Sequence, residues 1–77
     1  MKWSDDDVQN YLSIFRQTVE LYLLEEYEID LDQIQLKYLT VINGIMIDSF
    51  ASFVNVPNTA AQIRDFLRTQ MPLENQK

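Results

Sequence analysis

Residues 30–54 read DLDQIQLKYLTVINGIMIDSFASFV, and whether this stretch forms one helix or a hairpin decides the fold. Asn43-Gly44 sits between Thr40-Val41-Ile42 and Ile45-Met46-Ile47. An Asn-Gly pair flanked by β-branched residues is the strongest short hairpin cue, because a type I′ turn needs two residues that tolerate positive φ. Ile34, Leu36, Tyr38, Thr40 and Ile42 also half fit a two-residue alternation. Against the hairpin stand Met46, Phe50, Phe53 and Val54, which recur at helical spacing after the pair. A capping signal precedes them: Asp30 with Gln33 three residues on, and Ile29 and Ile34 at the two positions of a hydrophobic staple. One interior glycine costs about 1 kcal/mol relative to alanine, which packing can absorb. The pattern predicts a single helix from Leu31 to Val54 and an all-α chain, with an α+β fold built on a hairpin around Asn43-Gly44 as the alternative.

The same capping grammar marks two more helices. Ser4 can accept from the amide of Asp7, Trp3 and Val8 stand at the staple positions, and Asp5, Asp6 and Asp7 favour the positive end of the helix dipole. Thr59 with Gln62 repeats the pattern after Pro57, and Pro72 closes it. These signals place helices at Asp5 to Tyr27 and Ala60 to Met71. Residues 1–77 then form one three-helix bundle-like domain with a long apolar middle helix, and 72–77 are expected to be a disordered tail.

Helical wheels separate core from surface. Val8, Tyr11, Leu12, Phe15, Val19, Tyr22 and Leu23 share an arc about 120° wide, an ordinary core face. Ile14, Leu21 and Leu24 form a second ridge that cannot meet the same neighbours. In the middle helix, apolar residues from Ile34 to Val54 spread over most of the circumference. Only Lys37, Thr40, Gly44, Asp48 and Ala51 make a small or polar strip, where a glycine lets another helix approach closely. A helix apolar nearly all round belongs inside an assembly. Two flanking helices cannot cover it, so a two-fold dimer, the commonest oligomer, is the expected cover. The expected contact residues are Ile14, Leu21, Leu24, Leu39, Gly44, Met46, Phe50 and Phe53.

Twelve acidic against six basic residues give a net charge of −6. Such a chain repels phosphate backbones and anionic lipid headgroups, so we expect neither nucleic acid nor membrane as a direct partner. No apolar run is long enough to span a bilayer, and Lys2 is followed by acids rather than by a signal-peptide core, so a cytoplasmic location is expected. With no cysteine and no histidine, disulfides are impossible, and the usual zinc ligands and general bases are missing. Gly44 is the only glycine, which excludes a glycine-rich phosphate loop. Glu28, Asp30 and Asp32 alternate as calcium ligands sometimes do. A calcium-binding loop counted from Asp30 would need glycine at Gln35 and glutamate at Val41. We expect no catalysis, no cofactor and no metal.

Asp48-Ser49-Phe50 resembles the Asp-Ser-Leu motif at which acyl and peptidyl carrier proteins take phosphopantetheine on serine. The resemblance covers three residues and implies modification of Ser49. The chain departs from that family by carrying too little sequence after the serine for its remaining helices.

Two functions remain from these readings. The first is a homodimeric protein–protein interaction module, an adaptor or subunit. The second is an acidic regulator or inhibitor that occupies a basic, nucleic-acid-binding surface of a target protein in the manner of a DNA mimic. In that second reading Asp5, Asp6, Asp7, Glu20, Glu25, Glu26, Glu28, Asp30 and Asp32 would stand in for phosphates.

Overall fold

The computed structural model describes residues 4–70, and within them the chain is helical throughout its regular structure. Helix α1 spans Asp5–Tyr27, α2 spans Leu36–Ser52 and α3 spans Val56–Gln70, with a short 3-10 turn at Leu31–Gln33 joining the first two. No strand occurs among the described residues, and the helix runs through Asn43-Gly44 without interruption. The hairpin alternative therefore falls. Among the described residues no helix is long and apolar enough to cross a membrane. Trp3 of the first staple, the expected helix end at Met71 with Pro72, and the expected tail at 72–77 lie outside the described residues.

The first helix begins and ends where its capping chemistry places it. The Asp7 amide donates to Ser4 Oγ at 3.2 Å, and the three aspartates occupy the first turn. At the far end Glu28 adopts a left-handed conformation, φ 59° and ψ 35°. Its N–H donates to the Leu24 carbonyl, and the Ile29 N–H reaches the Leu23 carbonyl, both at 3.1 Å. A left-handed residue with a Cβ costs roughly 1–2 kcal/mol, and here it turns the chain back towards the helix it has just left.

The middle helix starts at Leu36, five residues later than the capping signal suggested. Asp30 does act as a cap, but of the short turn: its Oδ1 accepts from the Asp32 amide at 2.9 Å. The Gln33 and Ile34 amides then donate three residues back, to Asp30 and Leu31. Ile34 and Gln35 are extended, with ψ of 142° and 146°, which breaks the helix. Satisfying these amides in one tight turn lets the chain reverse while Leu31 stays buried beside Leu21 and Leu24 of α1. At its other end α2 stops at Ser52 rather than Val54, and the Phe53 N–H closes it on the Ser49 carbonyl at 2.8 Å.

The third helix also corrects its sequence reading, starting at Val56 rather than Ala60. Asn55 is the cap, its Oδ1 accepting from the Asn58 amide at 2.9 Å. Pro57 fits the first turn because its missing N–H would have no partner there. Thr59, expected as a cap, lies fully buried inside the helix. Its amide donates to the Asn55 carbonyl, and its hydroxyl makes no hydrogen bond.

The core gathers Phe15, Val19 and Leu23 of α1, Ile42 and Met46 of α2, and Ala60, Ile63 and Leu67 of α3, with Leu31 from the connecting turn. Phe15 meets Phe50 with ring centroids 5.8 Å apart, joining the first half of α1 to the end of α2. Tyr38 meets Phe66 at 6.1 Å, joining the start of α2 to the second half of α3. These pairings make the bundle up-down-up, and α3 packs more extensively on α1 than on α2. The Arg64 guanidinium lies 4.8 Å from the Tyr27 ring centre, a cation–π contact that closes α3 over the end of α1.

Gly44 lies in the helix interior on the exposed side of α2, and a Cβ built there meets nothing within 4 Å. Its φ is not positive, so nothing in the backbone requires glycine. Under conditions where the chain is monomeric, Gly44→Ala should stabilise it by about 1 kcal/mol, a rise in Tm of roughly 4–8 °C for a domain of this size. Thermal unfolding followed by circular dichroism measures this, and a fall in Tm would contradict a continuous α2.

Candidate interaction surfaces

The exposed apolar surface divides between α1, α2 and the connection from α2 to α3. On α1, Ile14, Leu21 and Leu24 are each about half exposed, forming a ridge turned away from the core face of Phe15, Val19 and Leu23. Tyr11, expected in the core, is 51% exposed and joins this outer ridge. At the end of the bundle where α2 passes into α3, the ridge borders an apolar groove of about 330 Å³. Tyr11, Ile14, Phe15 and Thr18 line one wall, and Phe50, Val54 and Val56 line the other.

On α2 the inward side is set by Ile42, Met46 and Ser49, and this sorts the expected contact residues. Met46 is 1% exposed and belongs to the core, so it is corrected from a contact residue to a structural one. Leu39 and Phe50 are half-buried against that core. Gly44 and Phe53 are exposed. The outward side carries residues that were not singled out as contacts, Leu36 and Ile47 above all, with Val41 on its flank. An apolar residue on a helix that is apolar all round gives no sequence signal of which way it turns.

All nine acids of the expected patch are exposed, but they do not form one continuous surface. Asp5, Asp6 and Asp7 occupy the start of α1. Glu20, Asp30 and Asp32 line a shallow groove with Leu21, Leu24 and Leu31 near its other end. Glu25 and Glu26 lie in the last turn of α1, which contains no basic residue, so they face the negative end of the helix dipole and are mildly unfavourable there. Among the described residues the one ion pair is Arg64–Asp65 at 3.0 Å, an exposed pair of the kind that contributes little.

Ser49, the residue of the carrier-like tripeptide, is nearly buried on the inward side of α2. It sits in the last turn of α2, with its side chain turned towards α3 rather than out into solvent. No group of three or more acidic side chains among the described residues is arranged to hold a metal ion.

Comparison of the chain with protein-family models, with curated proteins and with solved structures gives no match.

The division between core and ridge has a direct consequence for substitutions. Met46→Ala should destabilise the chain by about 2–5 kcal/mol, the range for truncating a buried methionine. Ile14→Ala should stay within about 0.5 kcal/mol of the parent, while lowering the binding of a hydrophobic dye. Equal losses in urea unfolding would mean that the ridge is part of the core.

Proposed function

We propose that this chain is a protein–protein interaction module, a homodimeric adaptor or subunit that acts without catalysis. The supporting observation is the exposure of nine large apolar side chains, from 44% at Val41 to 78% at Leu36: four on α1, three on α2, and Phe53 and Val54 in the connection to α3. Contiguous apolar surface beyond a few hundred Å² usually marks an interface. Two such faces on one small domain suit an adaptor, because one can hold a copy of the chain while the other holds a different protein. The apolar groove between α1 and the α2–α3 connection has the shape and chemistry to take a short apolar segment of that second protein, on the logic of helix-in-groove recognition.

The acids support a second reading. Glu20, Asp30 and Asp32 share one groove, and Glu25 and Glu26 are kept at the unfavourable end of α1. Both arrangements fit a regulator that offers carboxylates to a basic surface. That binding would weaken steeply with salt, since charges are screened beyond about 8 Å at physiological ionic strength. Apolar binding would not.

Static light scattering from micromolar to several hundred micromolar protein tests the first reading, with mass rising to that of a dimer as the expected outcome. A monomer throughout that range, with no dye binding, would remove the support for an apolar interaction module. A partner captured at low salt and released at a few hundred millimolar salt would favour the acidic regulator.

A further inference from the structure

The outer side of α2 presents Leu36, Thr40, Asn43, Gly44, Ile47 and Ala51 as one face, every one of them exposed. Neither α1 nor α3 covers it. In a chain of net charge −6, this helix holds only two charged residues, Lys37 and Asp48, and the two cancel. Both are exposed and lie along one flank of the face. Neither is in an ion pair among the described residues.

The order of these residues is self-complementary. We propose that the occupant of this face is a second copy of the chain, with the two α2 helices crossing antiparallel about a two-fold axis between Asn43 and Gly44. This rests on the interaction-module reading and specifies the surface and direction through which the chain pairs. An isologous contact requires that each residue meet its reflection about the midpoint. Here Leu36 falls opposite Ala51, Thr40 opposite Ile47, and Asn43 opposite Gly44, so each larger side chain meets a smaller or similar one. Gly44 has open space above it, which lets the two backbones approach at the axis. Lys37 of each copy comes to within about two residues of register, roughly 3 Å, of Asp48 of the other.

Charge decides the direction and the choice of face. In a parallel pair the charged flanks of the two copies would lie on opposite sides of the contact and form no opposite-charge contact, whereas the antiparallel pair brings the same flanks together and forms two. The ridge on α1 offers no such complement, because Glu20 and Glu25 flank Leu21 and Leu24 and would face like charges in a second copy.

Charge exchange at two exposed positions tests this without touching the core. Lys37→Glu and Asp48→Lys should each weaken self-association roughly tenfold, since each variant loses two exposed pairs and gains two repulsions. An equimolar mixture of the two should form the heterodimer, in which both pairs are opposite again. The double variant should recover the parent dissociation constant within about threefold. Sedimentation equilibrium reads all four samples, and circular dichroism confirms that each is folded. Dimers insensitive to all three changes would overturn the α2 contact while leaving the interaction-module reading in place. A parent chain that stays monomeric at several hundred micromolar would overturn both.

Discussion

Ile42 and Met46, one turn apart on α2 and each 1% exposed, are held between the core faces of α1 and α3. The rest of the bundle is arranged around burying them. Phe15 and Phe50 hold the end of α2 against α1, and Tyr38 and Phe66 hold its start against α3. Two helices can enclose only one side of a third, however, and α2 is apolar on nearly all of its sides. Its inner half is satisfied within the chain and its outer half is not. At about 25 cal/mol per Å² of apolar surface removed from water, covering the outer half contributes to folding as well as to association. For so small a chain the two are linked, because a partner that binds only the folded state stabilises it by mass action.

That imbalance sits beside several local costs. Glu28 is held left-handed, Glu25 and Glu26 oppose the dipole of their helix, and the Thr59 hydroxyl is buried without a partner. Each is of the order of 1 kcal/mol, against a total stability of about 5–15 kcal/mol for a typical domain. None of them lies in the α2 outer face, which is free of such conflicts. Its one interior concession, glycine at position 44, lies at the midpoint of the exposed surface, where a Cβ would meet nothing within 4 Å.

The helical character, the boundaries of α1 and, apart from Tyr11, its inner face were legible in the sequence because each rests on local signals. Ser4 caps Asp7, and Phe15, Val19 and Leu23 repeat at helical intervals. The start of α2 was misread because Asp30 and Gln33 spell a capping box, and a short 3-10 turn satisfies the same amides equally well. The start of α3 was misread for a related reason, two cap signals four residues apart. Asn55, two residues before Pro57, was the better of the pair, since proline belongs in a first turn. The outward direction of Leu36 and Ile47 was not legible at all. On a helix with apolar residues on every side, burial is decided by where the neighbours stand, and that is a property of the tertiary packing alone.

The sequence contains no cysteine, so a single introduced cysteine carries a spin label at a known place. Val41 and Ser52 both lie on the exposed flank of α2, one near the proposed axis and one far from it. With a rise of 1.5 Å per residue, antiparallel pairing separates the two copies of position 41 by less than about 10 Å along the helix and those of position 52 by roughly 25 Å. Double electron–electron resonance on the labelled dimers should therefore give a short distance for Val41→Cys and one longer by about 15–20 Å for Ser52→Cys, allowing for the labels' own reach. Equal distances at the two positions, or no coupling between chains at position 41, would contradict pairing through the outer face of α2.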